Sequence, residues 1–336
     1  MAHMVFWLAL AAGTAWLLWY MVGVPGVTYS GASAPPTPAE RISADNLRRH
    51  VVAIASREHN LGHRPALDEA AQYIARTLEG YGYAVARQPV KTESGEVHNI
   101  EAEVPGSALV GEIVLIGAHY DSVVGAPGAN DNGSGVAAML ELARAFRQSK
   151  PERTLRFVAF VNEEPPYFTG ELMGSRHYAQ RSKERGENIV AMFSLETLGY
   201  YSARPGSQRY PFPLGLFYPS KGDFVAFVSN LRSRALLHQV VASFRRHAQF
   251  PSEAVAAPAF LPGVDWSDHR SFWQEGYPAL MVTDTALFRY PYYHTSQDTP
   301  DKVDYGSLAR VVAGLGAMLV ELTAADGNPR AGEPVF

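Results

Sequence analysis

His119, Asp121 and Asp131 stand in two turns rich in small residues, Gly117-Ala-His-Tyr-Asp121 and Ala129-Asn-Asp-Asn-Gly-Ser-Gly135. Imidazole and carboxylate donors so placed can hold a zinc ion, and a held ion can acidify a water molecule. Asp and Asn in a glycine-rich stretch are also ordinary turn formers, and on this segment alone the two readings are evenly matched. Further along, Asn162-Glu163-Glu164 precedes Pro165-Pro166, Glu196 opens Glu196-Thr-Leu-Gly199, and His294 stands in Tyr292-Tyr-His-Thr-Ser-Gln-Asp298. Two adjacent carboxylates can divide the work, one binding metal while its neighbour moves protons.

Each of these groups follows an apolar run. Ile113–Gly117, Leu155–Val161, Ile189–Leu195 and Ala279–Thr283 read as buried strands, and Val136–Phe146 reads as an amphipathic helix. Open α/β sheets keep their sites just beyond the carboxyl ends of the strands. Four strands that each deliver an acid or a histidine to that end are poorly explained by turn formation. In all, helices are expected at Ala44–Ala55, Leu67–Tyr81, Gly135–Gln148, Glu171–Arg181, Asp223–Ser229, Ala235–His247 and Gly306–Leu322. Tyr83–Val90 and Val97–Val104 read as an antiparallel edge hairpin. The expected fold is α/β, a three-layer α/β/α sandwich with a mixed, mostly parallel central sheet over residues 43–324. Residues 202–213 and 250–262 are expected to be surface loops that shape substrate choice.

Taken in order, His119-Tyr-Asp121, Asn130-Asp131-Asn-Gly-Ser-Gly135, Asn162-Glu163-Glu164, Glu196-Thr-Leu-Gly199 and His294-Thr resemble the co-catalytic zinc aminopeptidases of peptidase clan MH. That group includes bacterial leucyl aminopeptidase, aminopeptidase S and glutaminyl cyclase. The resemblance runs from about Ser43 to Thr323. It implies two zinc ions per chain bridged by Asp131, with His119 and Glu196 completing one site and Glu164 and His294 the other. It also implies Glu163 as general base and Asp121 as the group that orients His119. Two departures stand out. Many members carry Asp where this chain has Glu196, and the tyrosine often found shortly before the Ser267-Asp268-His269 run is missing. Tyr200, Tyr292 and Tyr293 are then unranked candidates for stabilising the oxyanion. The chemistry also stands on general grounds, since two ions about 3.5–4 Å apart can share a carboxylate and polarise a carbonyl.

Other tempting residues take plainer readings. Ser267-Asp268 fits a helix N-cap, with Asp268 and His269 behind the ligands rather than among them. His59 and His63 have helical spacing, but Asn60 and Gly62 between them favour a loop at the pocket rim over a metal site. His238 and His247 lie on an amphipathic helix and read as surface residues. Asp298, Asp301 and Lys302 fit a turn into the last helix.

Val5–Val24 is an uncharged run of 20 residues, long enough at about 1.5 Å per residue to cross a bilayer core of about 30 Å. It is expected to be a single membrane anchor with Trp16, Trp19 and Tyr20 at one interface. A signal peptide cleaved near Ser30-Gly-Ala32 is the rival, disfavoured by the length of the run and the missing basic residues. Residues 1–4 read as a cloning remnant, residues 25–42 as a Pro/Gly/Ser-rich linker and residues 325–336 as a tail. No Lys or Arg precedes Arg41, and the catalytic domain is expected outside the cytoplasm. The chain has no cysteine, so disulfides and thiolate ligands are excluded. With 29 basic and 33 acidic residues there is no bias towards nucleic acid.

Three functions follow, in order of preference. The first is a membrane-anchored two-zinc aminopeptidase acting on peptides. The second is a one-zinc acyltransferase like glutaminyl cyclase, against which the full ligand set argues. The third is a non-catalytic receptor or scaffold, against which an intact Glu163 argues.

Overall fold

A run that is apolar on both faces must be covered on both faces, and this requirement builds the molecule. The computed structural model describes residues 2–325 apart from Ser33 and Ser94, so the expected tail from Asp326 onward lies outside the described residues. In chain order these form α1 (Ala2–Val22), α2 (Pro38–Ile54), α3 (Arg64–Gly80), β1 (Ala86–Thr92), β2 (Gly95–Val104) and β3 (Leu109–His119). Then come α4 (Gly135–Phe146), β4 (Arg153–Phe160), α5 (Gly174–Glu184), β5 (Asn188–Glu196), β6 (Val225–Ser229) and α6 (Arg234–His247). The chain finishes with β7 (Ser252–Ala256), α7 (His269–Gln274), β8 (Ala279–Thr283) and α8 (Tyr305–Thr323).

The strands form one eight-stranded sheet in the order β1-β2-β4-β3-β5-β8-β6-β7. Four neighbouring pairs are parallel and three antiparallel, so the sheet is mixed and mainly parallel, as expected. Along β3, Val114, Ile116 and Ala118 enter the core beneath α2, α3, α4, α6 and α8. Ile113 and Leu115 enter a smaller core with Tyr178 of α5 and Phe272 of α7. The three layers follow from this alternation. The chain leaves β3 for β4 on one side and returns past it to β5 on the other, which opens a crevice at the carboxyl end of β3.

Three expectations are corrected. Residues 223–229, read as a helix, contain β6, which pairs with both β7 and β8; Phe224-Val-Ala-Phe-Val is a short apolar run whose aromatic and β-branched side chains suit a sheet. Residues 250–262, read as a loop, contain the edge strand β7. The linker at 25–42 is shorter than expected, because α2 begins at Pro38 with a capping box in which Thr37 and Glu40 satisfy each other's backbone N–H groups.

Among the described residues, two helices are long and apolar enough to cross a membrane. One is α8, two-thirds buried in the core; the other is α1, whose window from His3 to Val22 is only 6% buried.

Candidate metal centre

His119 ends β3, Glu163 and Glu164 follow β4, Glu196 ends β5, and His294 lies on the loop after β8. These four strands are neighbours in the sheet, so one crevice receives all five side chains together with Asp131 from the turn before α4. Asp131 faces both ways. Its Oδ1 is 3.5 Å from His119 Nε2, and its Oδ2 is 3.1 Å from His294 Nε2. Glu196 Oε2 lies 3.3 Å from His119 Nε2, and Glu164 Oε2 lies 3.2 Å from His294 Nε2. Two groups of possible ligands result, His119–Asp131–Glu196 and Asp131–Glu164–His294, and they share Asp131.

The donor set fits zinc. Tetrahedral nitrogen and oxygen ligands about 2.0–2.2 Å from an ion stand about 3.3–3.6 Å from one another, longer than a charge-assisted hydrogen bond. Three of the four separations above approach that range, and His119 Nε2, Asp131 Oδ2 and Glu164 Oε1 are buried without a hydrogen-bond partner. Such groups are costly unless something charged completes them.

The turn carrying Asp131 is held by the residues that flank it. Asn130 accepts from Gly199 N at 2.7 Å and donates to Asp284 at 2.9 Å. Asn132 donates to Leu195 O at 2.7 Å and accepts from Thr197 N at 3.1 Å, and Ser134 Oγ accepts from Leu198 N at 2.8 Å. Gly135 is required by space, since a Cβ there would lie 2.4 Å from Leu195 O. The Asn-Asp-Asn-Gly-Ser-Gly run therefore staples the Asp131 turn to the end of β5, beside Glu196. Asn162, Thr197 and His294 all have positive φ, at 59°, 43° and 57°, and each lies within two residues of a possible ligand; non-glycine residues adopt this conformation where surrounding structure enforces it.

Asp121 acts on both neighbours. His119 Nδ1 lies 3.1 Å from the Asp121 main-chain oxygen, while the Asp121 carboxylate accepts from the backbone N–H groups of Glu163 and Glu164 at 3.0 and 3.1 Å. The carboxylate therefore aims the two glutamates, and the main chain fixes the His119 ring. Ser267 Oγ donates to Glu196 Oε2 at 2.7 Å. Asp268 does not cap α7 through its side chain; it is buried near the centre, and neither oxygen has a hydrogen-bond partner. His59 is likewise not at a rim. It is buried behind Asp121, with Nδ1 2.9 Å from Arg57 O. His63 is exposed beside Glu58, and His247 is on the surface beside Glu321, but His238 is half-buried against Gly23.

Asp298 and Asp284 are the residues that sequence reading undervalued. Asp298 Oδ1 accepts from Asn130 N at 2.8 Å and Tyr290 OH at 2.7 Å, and its Oδ2 accepts from Asp131 N at 3.1 Å. Its position in a loop with His294 was a signal, but its partners Asn130 and Asp131 lie over 160 residues away. Asp301 and Lys302, by contrast, form an exposed pair at 2.6 Å. Asp298→Asn turns an amide N–H towards backbone donors, and metal affinity is expected to fall by about 10–100-fold with the fold retained, as measured by chelator competition.

Tyr293 is the one of the three tyrosines that the fold turns to the centre. Its ring stacks on His294 with centroids 3.9 Å apart. Burial, then the Asp131, Glu164, Glu196 and Glu163 carboxylates, push its phenol well above the ordinary range. Tyr200 packs on Tyr290 instead, and Tyr292 lies under the Lys302 ammonium. Beside Glu196 and Tyr293 opens an apolar pocket walled by Leu214, Val255, Val264, Met281 and Leu287.

Burial is the first cause of unusual protonation here. Without bound cations it pushes Glu163 well above the carboxylate range, aided by Glu196 and Glu164 and opposed by His119, whereas cations bound beside it would favour the ionised form that a base needs. It raises Glu164 to about 8, and Asp268 and Asp298 to about 7. Burial would lower His294, but the Asp131 and Glu164 carboxylates, 3.1 and 3.2 Å from its Nε2, raise it to about 10. Each of these groups holds its proton more tightly folded than unfolded, so the stability it adds at low pH is lost as pH climbs towards its folded value. His50 and His269, lowered to about 4 by burial, oppose this trend only below 6.5. Chelated protein is therefore expected to lose stability between pH 6.5 and 8, and calorimetry should show Tm falling across that interval.

The fold and the centre define a metallo-exopeptidase. The profile of Peptidase family M28 matches residues 99–319, and the chain belongs to that zinc-dependent family. It is 36% identical over 298 residues to the uncharacterized protein YfbL of Escherichia coli (strain K12), covering 85% of this chain and 91% of that one. It is 27% identical over 294 residues to a probable leucine aminopeptidase of Arthroderma otae, covering 81% and 72%. In fold it is similar to the aminopeptidase from Aneurinibacillus sp. strain AM-1, with a TM-score of 0.65 at 20% identity, covering 89% of this chain and 98% of that structure.

Proposed function

We propose that this chain is a membrane-anchored aminopeptidase that works with two zinc ions and removes bulky apolar residues from the N-termini of peptides. The observation that carries the metal count is the division of Asp131, one oxygen towards His119 and the other towards His294. Two ions sharing that carboxylate would supply an acidified water and a polarised scissile carbonyl.

The chain's own groups do the rest. Glu163 belongs to neither ligand group, and its Oε2 is 3.7 Å from His119 Nε2, at the edge of the centre. From there it takes the proton of the attacking water and passes it to the leaving amine. Tyr293 donates a hydrogen bond from its phenol to the developing oxyanion, a role its unionised state suits. Leu214, Val255, Val264 and Met281 line the space for the N-terminal side chain. The exposed, uncharged α1 supports the anchor, and the domain is proposed to lie outside the cytoplasm, which reporter fusions at the C-terminus test.

Metal analysis together with a panel of aminoacyl chromogenic substrates tests this reading. Two zinc ions and fastest release of leucine- or phenylalanine-type residues are expected. One zinc ion with cyclisation of N-terminal glutamine would favour acyl transfer instead.

A further inference from the structure

We infer that the mouth of the apolar pocket is a lipid-contact surface, so that the metal centre draws its peptides from the face of the bilayer holding α1. This rests on the anchor reading of α1.

The domain is fastened to the end of α1. Arg234 Nε donates to Tyr20 O at 2.8 Å, with its guanidinium 4.0 Å from the centre of the Tyr20 ring. Arg245 Nη1 donates to Pro25 O and Gly26 O at 3.1 and 3.0 Å, and Ser252 N donates to Thr28 Oγ1 at 2.8 Å. These bonds strap residues 20–28 along α6 and the free edge of β7. The domain thus stands at a set position against the end of the helix, where Trp16, Trp19 and Tyr20 suit the interface.

The same place is the outer wall of the pocket. Met21 is 5% exposed in a cluster with Leu214, Val255, Ala257 and Val264, against which Tyr210, Tyr218 and Leu261 also pack. Leu214, Val255, Val264 and both tyrosines line the pocket that reaches Glu196. From the loops of this cluster project Phe212, Leu216 and Phe260, at 88%, 76% and 83% exposed. Trp266 and Leu287, also exposed, sit on the pocket wall. Among the described residues the exposed Phe and Trp side chains outside α1 are Phe212, Phe217, Phe260 and Trp266, and all four fall within or beside the pocket-lining segments 208–218 and 262–266. Aromatic side chains gathered beside the end of an apolar helix are suited to the headgroup level, and a contiguous apolar patch marks a contact surface. The bilayer is the occupant because α1 delivers it to the patch.

The chain has no cysteine, so single cysteines can carry a fluorophore in the full-length protein. Labels at Phe212→Cys, Leu216→Cys and Phe260→Cys are compared in phosphatidylcholine–phosphatidylglycerol vesicles containing doxyl lipid. Leu10→Cys in α1 and Val110→Cys at the opposite end of β3 serve as references. The rim labels are expected to be quenched at least about threefold more than the Val110 label. Quenching at Leu10 with none at the rim overturns the inference and leaves the anchor standing; no quenching at Leu10 overturns the anchor and the inference with it.

A second readout uses Phe212→Asp combined with Phe260→Asp, neither of which lines the pocket. Turnover of a soluble aminoacyl substrate is expected to stay within about twofold, while turnover of a lipid-tethered peptide falls about tenfold. An equal loss on both substrates would show that the rim serves the pocket and not the membrane, as would quenching of the rim only after a protein partner is added.

Discussion

Glu163→Gln is expected to lower turnover by about 10²–10⁴-fold while both metal sites stay filled. The substitution keeps the size of the side chain and removes only its capacity to take a proton. Metal retention is expected because neither ligand group contains Glu163, whereas Glu164 beside it belongs to one of them. Its backbone N–H is held by Asp121 at 3.0 Å, a bond the amide variant leaves in place, so the loop should not move. Steady-state kinetics paired with metal content separate the two neighbours. Near-normal turnover in Glu163→Gln would remove it from the mechanism, and loss of metal would make it a ligand.

Asp131→Ala should empty both sites together. Removing a group that merely steadies a ligand costs about 10–100-fold in metal affinity, and a carboxylate with one oxygen in each site should cost more at both. Glu196→Ala and Glu164→Ala should each weaken one site, on opposite sides of Asp131. Titration with zinc against a chromophoric chelator distinguishes these cases. If the Asp131 variant keeps one ion at full affinity, the carboxylate does not bridge, and the two groups would have to be treated as independent sites.

The core elements were legible because their side-chain spacing is local information. Buried strands beneath Gly117, Val161, Leu195 and Thr283 announce themselves as apolar runs, and α4 and α8 by their helical period. The errors fell where the local signal is ambiguous. Phe224–Ser229 is apolar in either state, and only its pairing with β7 and β8 makes it a strand. Residues 25–28 have the composition of a slack linker, yet Arg245 and Ser252 hold them. Asp298 looks like any turn former until its carboxylate is seen on the amides of Asn130 and Asp131.

What the sequence determined by itself was the set of candidate ligand types and their arrival at strand ends, because a strand and the turn beyond it are written in consecutive residues. It also determined α1, whose uncharged length needs no partner to be recognised. Only the tertiary structure decided that Asp131 faces two groups at once, that Tyr293 and not Tyr200 or Tyr292 looks into the centre, and that the pocket opens beside the end of α1. Those facts depend on β3, β4, β5 and β8 lying side by side, and that order is fixed by crossovers and burial across the whole chain.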